Sequence, residues 1–138
     1  MTPAHAAAVR ASFARQAMMQ TFGARIEDLG AGACTLSAPV LDLARQQHGV
    51  GHAALAFALG DTACGYAALT IMPEGAEVMT AEMKINLLRP NDGCRVVATG
   101  KVVKPGRRLV VVTGEVWTED ADRARRLIAV LQGTMAPV

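Results

Sequence analysis

Aromatic side chains are nearly absent from this chain: one Trp, one Tyr and three Phe in 138 residues. Since 51% of the residues are nonetheless apolar, the core must be assembled from Val, Leu, Ala and Met. Strong charge of either sign is also missing. A net charge of +2 is too mild to mark a nucleic-acid binder by composition. Cysteine is scarce too. Cys34, Cys64 and Cys94 form no CxxC and no even set, which argues against a disulfide framework or a thiolate metal site and for reduced thiols in a cytoplasm. The N-terminal stretch has no long apolar core with a cleavage signature, so no secretion signal is read. Arg10 and Arg15 among alanines read as a short amphipathic helix rather than a transit peptide. The length fits one domain, residues 1–138, with a real core.

One long stretch lacks charge almost completely. Between Ala53 and Met72 the only Asp, Glu, Lys, Arg or His is Asp61. The run is about as long as a membrane span. Asp61 near its centre, Gly60, Gly65 and many alanines make a poor span, and the segments after it alternate like strands of a soluble sheet. A segment apolar nearly all round is a buried helix. A carboxylate buried there without partners is costly and its pKa rises. Asp61 is therefore either satisfied structurally or poised for chemistry.

Around this helix the chain reads as follows. Residues 5–20 form a helix whose apolar side is Val9, Phe13, Met18 and Met19, broken by Gly23. Ala24–Leu29 and Ala33–Val40 are strands around a Gly30–Gly32 turn, followed by a polar connection over Leu41–Gly51. After Pro73-Glu74-Gly75 the period changes to two: Met79, Ala81, Met83, Ile85 and Leu87 alternate with polar residues across Glu77–Arg89. Cys94–Lys104 and Arg107–Thr118 are strands joined by a tight hairpin at Pro105-Gly106, and Arg125–Met135 is the last strand. The predicted fold class is α+β, a curved antiparallel sheet wrapped around one long helix. Ile128, Val130 and Leu88 suggest an apolar outer sheet face, and with open edges this predicts an oligomer, a dimer or a dimer of dimers.

Gly49-Val50-Gly51-His52, then the small pair Ala53-Ala54, then Asp61 nine residues after the histidine, resembles the hotdog-fold thioesterases, specifically the phenylacetate-degradation (PaaI-like) branch. The strand AEMKINLLRP and the hairpin KVVKPGRRLVVVTGEV resemble the same branch, and the resemblance spans roughly Gly23 to Thr134. It implies a hotdog fold and an acyl-CoA thioesterase with no cofactor beyond the coenzyme A of its substrate. It places the family's His-Gly-Gly on His52-Ala53-Ala54, its acidic residue on Asp61, its Asn or Gln on Gln46, its loop glycine on Gly49 and its Ser or Thr on Thr80. The departure is at Ala53 and Ala54, where the family has glycines. In these roles the Ala53 N–H polarises the carbonyl, Gln46 helps position carbonyl or water, and Asp61 acts as nucleophile or as general base on water held by Thr80.

The physics of these positions is coherent. A helix starting near His52 has unpaired N–H groups that can receive an oxyanion. Nine residues at helical rise put Asp61 roughly 13 Å further along the axis. One chain cannot bring both groups onto one carbonyl, so the carboxylate must come from a partner across a two-fold. Simpler readings stand beside these. Asp61 could cap a helical segment starting at Thr62. His52 could only orient its loop. His48 and His52 are spaced like zinc ligands, but the intervening glycines argue against a helix and no third ligand is evident. Cys64 reads as a core thiol. Lys104, Arg107 and Arg108, with Lys101 and Arg89, suit either plain solvent exposure or the phosphates of coenzyme A. The rival function is a non-catalytic acyl-CoA or small-ligand binder, for which Ala53-Ala54 is the best support. A dehydratase fits poorly because His5, His48 and His52 are the only histidines.

Overall fold

A computed structural model of residues 1–138 shows a six-stranded antiparallel sheet curled around one central helix. Helix α1 (Pro3–Ala14) and the short α2 (Ala17–Thr21) precede strands β1 (Arg25–Gly30) and β2 (Ala33–Pro39). A single 3-10 turn, Asp42–Ala44, leads into α3 (Ala53–Leu69), and β3 (Val78–Leu87), β4 (Arg95–Lys104), β5 (Val110–Glu119) and β6 (Arg125–Pro137) follow. The sheet order is β1-β2-β4-β5-β6-β3, so β1 and β3 are its edges.

Helix α3 lies in the concavity because its side chains are small. Leu55, Leu59, Ala63, Cys64, Ala67 and Ala68 are buried against the sheet. The close approach is completed from the sheet side, where a Cβ on Gly100 would overlap the Ala63 carbonyl. On the helix side a Cβ on Gly60 would come within 2.8 Å of a Leu131 methyl. Not every small residue of α3 serves this contact: Ala53 and Ala54 are exposed and Gly65 has open space where its Cβ would lie.

Several local expectations are corrected. The N-terminal helix is broken at Arg15–Gln16, where Gln16 turns extended and sends its Nε2 to the Tyr66 hydroxyl at 3.1 Å. The break rotates the face, so Met19 is buried while Met18 is 60% exposed. The β4–β5 connection is a five-residue loop, Pro105–Leu109, rather than a two-residue hairpin; the ring of Pro105 locks its φ negative, whereas the first position of a two-residue hairpin turn needs a positive φ. The outer sheet face is polar, with Lys84, Gln132, Thr113 and Lys101 side by side across β3, β6, β5 and β4. Ile128 belongs to the core. It is the extra residue of a bulge between Leu127 and Ala129 and turns inward. Leu88 is exposed, and Val130 lies half-buried on the polar outer face.

At one end of the sheet an ion network ties four strands together. Glu119, 1% exposed, accepts from Arg95 at 2.8 Å, Arg123 at 3.0 Å and Arg125 at 2.7 Å. Arg95 also reaches Glu27 on β1, which takes the Ser37 hydroxyl. Burial pushes the Glu119 carboxyl up, but the Arg125, Arg95 and Arg123 hydrogen bonds outweigh it and bring its pKa to about 2. Glu27 is also lowered to about 2, first by the Ser37 hydrogen bond and then by Arg25.

Candidate active site

Two separate groups of the predicted residues come together, and a third lies apart from both. The first surrounds the start of α3. Gln46 to His52 fold into a loop closed by the Gln46 N–H to Val50 carbonyl bond at 2.9 Å and the His52 N–H to Ala44 carbonyl bond at 2.8 Å. Arg45 braces it, donating to the carbonyls of Gly49 at 2.7 Å and Val40 at 3.0 Å. Gly49 has φ +86°, a conformation glycine adopts freely, and it shapes this turn without lining the cleft beside it. That cleft, of about 600 Å³, is walled by Gln46, His52, Ala53, Arg89, Asn91 and apolar residues including Ile128.

Within this group the backbone donors are already sorted. His52 is the N-cap of α3, and its Nδ1 accepts the Ala54 N–H at 2.9 Å. The Leu55 N–H donates to the His52 carbonyl at 3.0 Å. The Ala53 N–H is left without a backbone acceptor, at the positive end of a 17-residue helix. Ala54, expected to contribute beside it, has its N–H committed to the histidine. His52 thus orders the helix start through a hydrogen bond. Gln46 Oε1 accepts the His48 N–H, which orients the carboxamide and leaves Nε2 free to donate to a ligand.

The second group is Asp61 and Thr80. Thr80 Oγ1 donates to Asp61 Oδ1 at 2.8 Å, with Met135 Sδ 3.4 Å from the same hydroxyl. A bulge between Thr80 and Glu82 breaks the alternation of β3. It turns Thr80 toward the helix while Met79, expected on the greasy face, is 61% exposed. Because α3 runs unbroken from Ala53 to Leu69, Asp61 does not begin a new helical segment, which removes the capping reading. Nor is it deep in the core: it is half-buried, on a face of α3 that the sheet leaves open. That face carries Ala54, Phe57 (38% exposed), Ala58 and Asp61 at helical spacing. Burial raises the Asp61 pKa and the Thr80 hydrogen bond partly opposes it. Neither Asp61 nor Thr80 borders the cleft at Ala53; eight residues of helix, about 12 Å, separate the two groups.

The third group is the β4–β5 loop. Val102 N–H bonds the Gly32 carbonyl and Gly32 N–H bonds Thr70 Oγ1, both at 2.8 Å, and Thr70 is the C-cap of α3. Lys104, Arg107 and Arg108 therefore stand near the far end of the helix from Arg89, which lines the cleft. None of the four makes an ion pair. Cys64 is fully buried and burial pushes its thiol up to about 12, which leaves it inert as a nucleophile. No cluster of three His, Cys, Asp or Glu side chains could hold a metal ion, and no helix is long and apolar enough to cross a membrane.

A long helix held in a curled six-stranded antiparallel sheet, with an open helix start and a carboxylate further along, defines the hotdog fold. The thioesterase superfamily profile matches residues 48–124, which contain His52, Ala53, Asp61 and Thr80, and the chain belongs to that superfamily. A thioesterase family protein from Silicibacter pomeroyi is 42% identical over 97% of this chain and 98% of its own, with a TM-score of 0.94. A conserved protein from Pseudomonas aeruginosa is 30% identical over 89% and 94%, with a TM-score of 0.80. The E. coli PaaI protein from the phenylacetic acid degradation operon shares the fold at 22% identity over 93% and 88%, with a TM-score of 0.81. Comparison with curated proteins gives no match. The family expected from the loop, helix and strand motifs is the family found.

Proposed function

We propose that this protein hydrolyses an acyl-CoA thioester to a free acid and coenzyme A, at sites shared between two copies of the chain. The observation that carries the reading is the separation of two incomplete halves. An unpaired N–H at Ala53, beside the cleft, and a Thr80-held carboxylate at half-buried Asp61 lie about 12 Å apart along one helix. A two-fold that sets Ala53 against Asp61 of a second copy completes two identical sites at once. The open face of α3 and the free edge of β3, with Met79 and Leu87 exposed, offer the surface for that pairing.

In the completed site the thioester carbonyl lies in the cleft with its oxygen on the Ala53 N–H, and Gln46 Nε2 supports it. Asp61 of the second copy acts as general base. Its Oδ1 is occupied by Thr80, so Oδ2 takes a proton from water while the Thr80 oxygen, its own proton spent on Oδ1, accepts the other water hydrogen. The water oxygen bonds to the carbonyl carbon, and negative charge collects on the oxygen facing Ala53. Collapse breaks the C–S bond, and the leaving thiolate takes the proton from Asp61. The two-fold also carries the second copy's β4–β5 loop beyond the start of α3, so Lys104, Arg107 and Arg108 would meet the coenzyme's phosphates while Arg89 stays near the thioester. Free-thiol release from a panel of acyl-CoAs tests the reading. Turnover of at least one class is expected; binding without release would leave only the binding-protein reading.

A further inference from the structure

The wall of the cleft contains one buried polar group that this scheme leaves unused. Asn91 is 4% exposed, and its Oδ1 accepts the Thr118 hydroxyl at 2.8 Å while Thr118 Oγ1 accepts the Gly93 N–H at 3.0 Å. Its Nδ2 is buried without any partner. Exchanging the two amide atoms would only move the vacancy, since Nδ2 would then face Thr118 and Oδ1 would be unpartnered. Buried, unpaired amide groups are rare enough in folded proteins to require a reason.

The reason lies in what the amide touches. The Asn91 carbonyl accepts the Gly51 N–H at 2.8 Å. Its side-chain amide fills the volume that a Gly51 side chain would take: a Cβ there would overlap Nδ2 and come within 2.8 Å of Cγ. Gly51 is two residues before Ala53, and the intervening His52 is tied to Ala44. Asn91 is thus fixed from the sheet side by Thr118 and seated from the other side on the backbone that delivers Ala53. Packing contact of this kind needs no hydrogen bond from Nδ2.

We infer that Asn91 is a positioning residue that acts through Gly51 to set where α3 begins, and so where the Ala53 N–H stands relative to the substrate carbonyl. Its bulk, not its free N–H, does this. The catalytic consequence rests on the thioesterase reading, since misplacing a reacting group by about 1 Å can cost about a hundredfold in rate; the positioning itself does not.

Two variants of the full chain test it, by acyl-CoA kinetics and by amide hydrogen exchange. Asn91→Ala removes the bulk. It should raise exchange across residues 46–54 at least about tenfold while residues 59–69 of α3 stay protected. It should also lower kcat about tenfold or more with KM within about threefold, leaving the pH midpoint of kcat unmoved because that belongs to Asp61. Asn91→Leu restores the bulk without the polar atoms and should bring kcat to within about threefold of the starting protein. Unchanged exchange over 46–54 in Asn91→Ala, a rise spread through the whole chain, or a kcat that Leu does not restore would overturn the inference. If the starting protein cleaves no thioester, the functional reading falls and the exchange measurement still decides the positioning.

Discussion

Thr80 Oγ1 donates its proton to Asp61 Oδ1 at 2.8 Å, across a bulge that turns one residue of the edge strand toward the central helix. The bond does two things. It fixes the carboxylate with Oδ2 free, and it opposes the rise in pKa that burial imposes.

The sign of the resulting pH dependence follows from that rise. A carboxylate whose pKa is higher folded than unfolded keeps its proton longer in the native state. Stability therefore falls as pH climbs from the unfolded value through the folded one, and stays lower above it. Activity runs the other way, increasing as Asp61 ionises, with a midpoint above the ordinary carboxylate value of 3.8. Asp61→Asn should cut kcat by a factor of about a hundred or more. Its thermal midpoint at neutral pH should hold or rise, because a partly buried charge is replaced by a neutral isostere. A fully active variant that melts earlier would make Asp61 a structural residue.

Glu119 carries the opposite sign. Its pKa, held at about 2 by three arginines against burial, means the ion network stabilises the fold above the unfolded carboxylate value. That stabilisation is lost as pH falls from about 4.5 toward about 2. Glu119→Gln should lower stability at pH 7 by about 3 kcal/mol, since it removes the one carboxylate of Arg123 and Arg125 and leaves the largely buried Arg95 with Glu27 alone. The variant's urea midpoint should then change less between pH 7 and pH 3 than the original's. Equal slopes in the two proteins would show that the network does not govern acid unfolding.

Much of this was legible in the residues. The alternation in β3 to β6, the apolar run of α3 and the turn residues between them were enough for the fold, and the spacing from His52 to Asp61 was enough to set the two groups apart along one helix. What escaped depends on contacts between distant positions. The Thr80 bulge is invisible in a strand whose alternation looks regular. The bulge at Ile128 hides in the same way, and it moved that residue from the outer face to the core. Gly51 and Asn91 are forty residues apart, and nothing local marks one as the space for the other. The commitment of the Ala54 N–H depends on a histidine rotamer. Arg89 and the β4–β5 loop cations are near one another in sequence yet lie toward opposite ends of α3.

Those loop cations give a separable prediction. If Arg107 and Arg108 meet phosphates, Arg107→Ala/Arg108→Ala should raise KM for acyl-CoA more than it lowers kcat, because phosphate contacts are the same in ground and transition states. The penalty should shrink on pantetheine thioesters, which lack the nucleotide. Equal losses on both substrates would assign these arginines to the fold.

The proposed division of the site between two copies makes its own demand. Ala53 is the first residue of α3, where proline is well tolerated, and His52 has the extended ψ of 145° that a following proline requires. Ala53→Pro should therefore keep the fold while deleting the unpaired N–H at the helix start. Loss of a single oxyanion donor costs about a hundredfold to a thousandfold in kcat. Asp61→Asn should be similarly weak alone. When the two variants are unfolded together and refolded as a mixture, half of the pairs are mixed under random association. Each mixed pair contains one site with both defects and one with neither, so about a quarter of the original activity should return. If Ala53 and Asp61 served the same site within one chain, every chain would stay defective and mixing would recover nothing. Sedimentation of the mixture at micromolar concentration completes the test: a monomer there, or no recovery from a dimer, would exclude a site built from two copies.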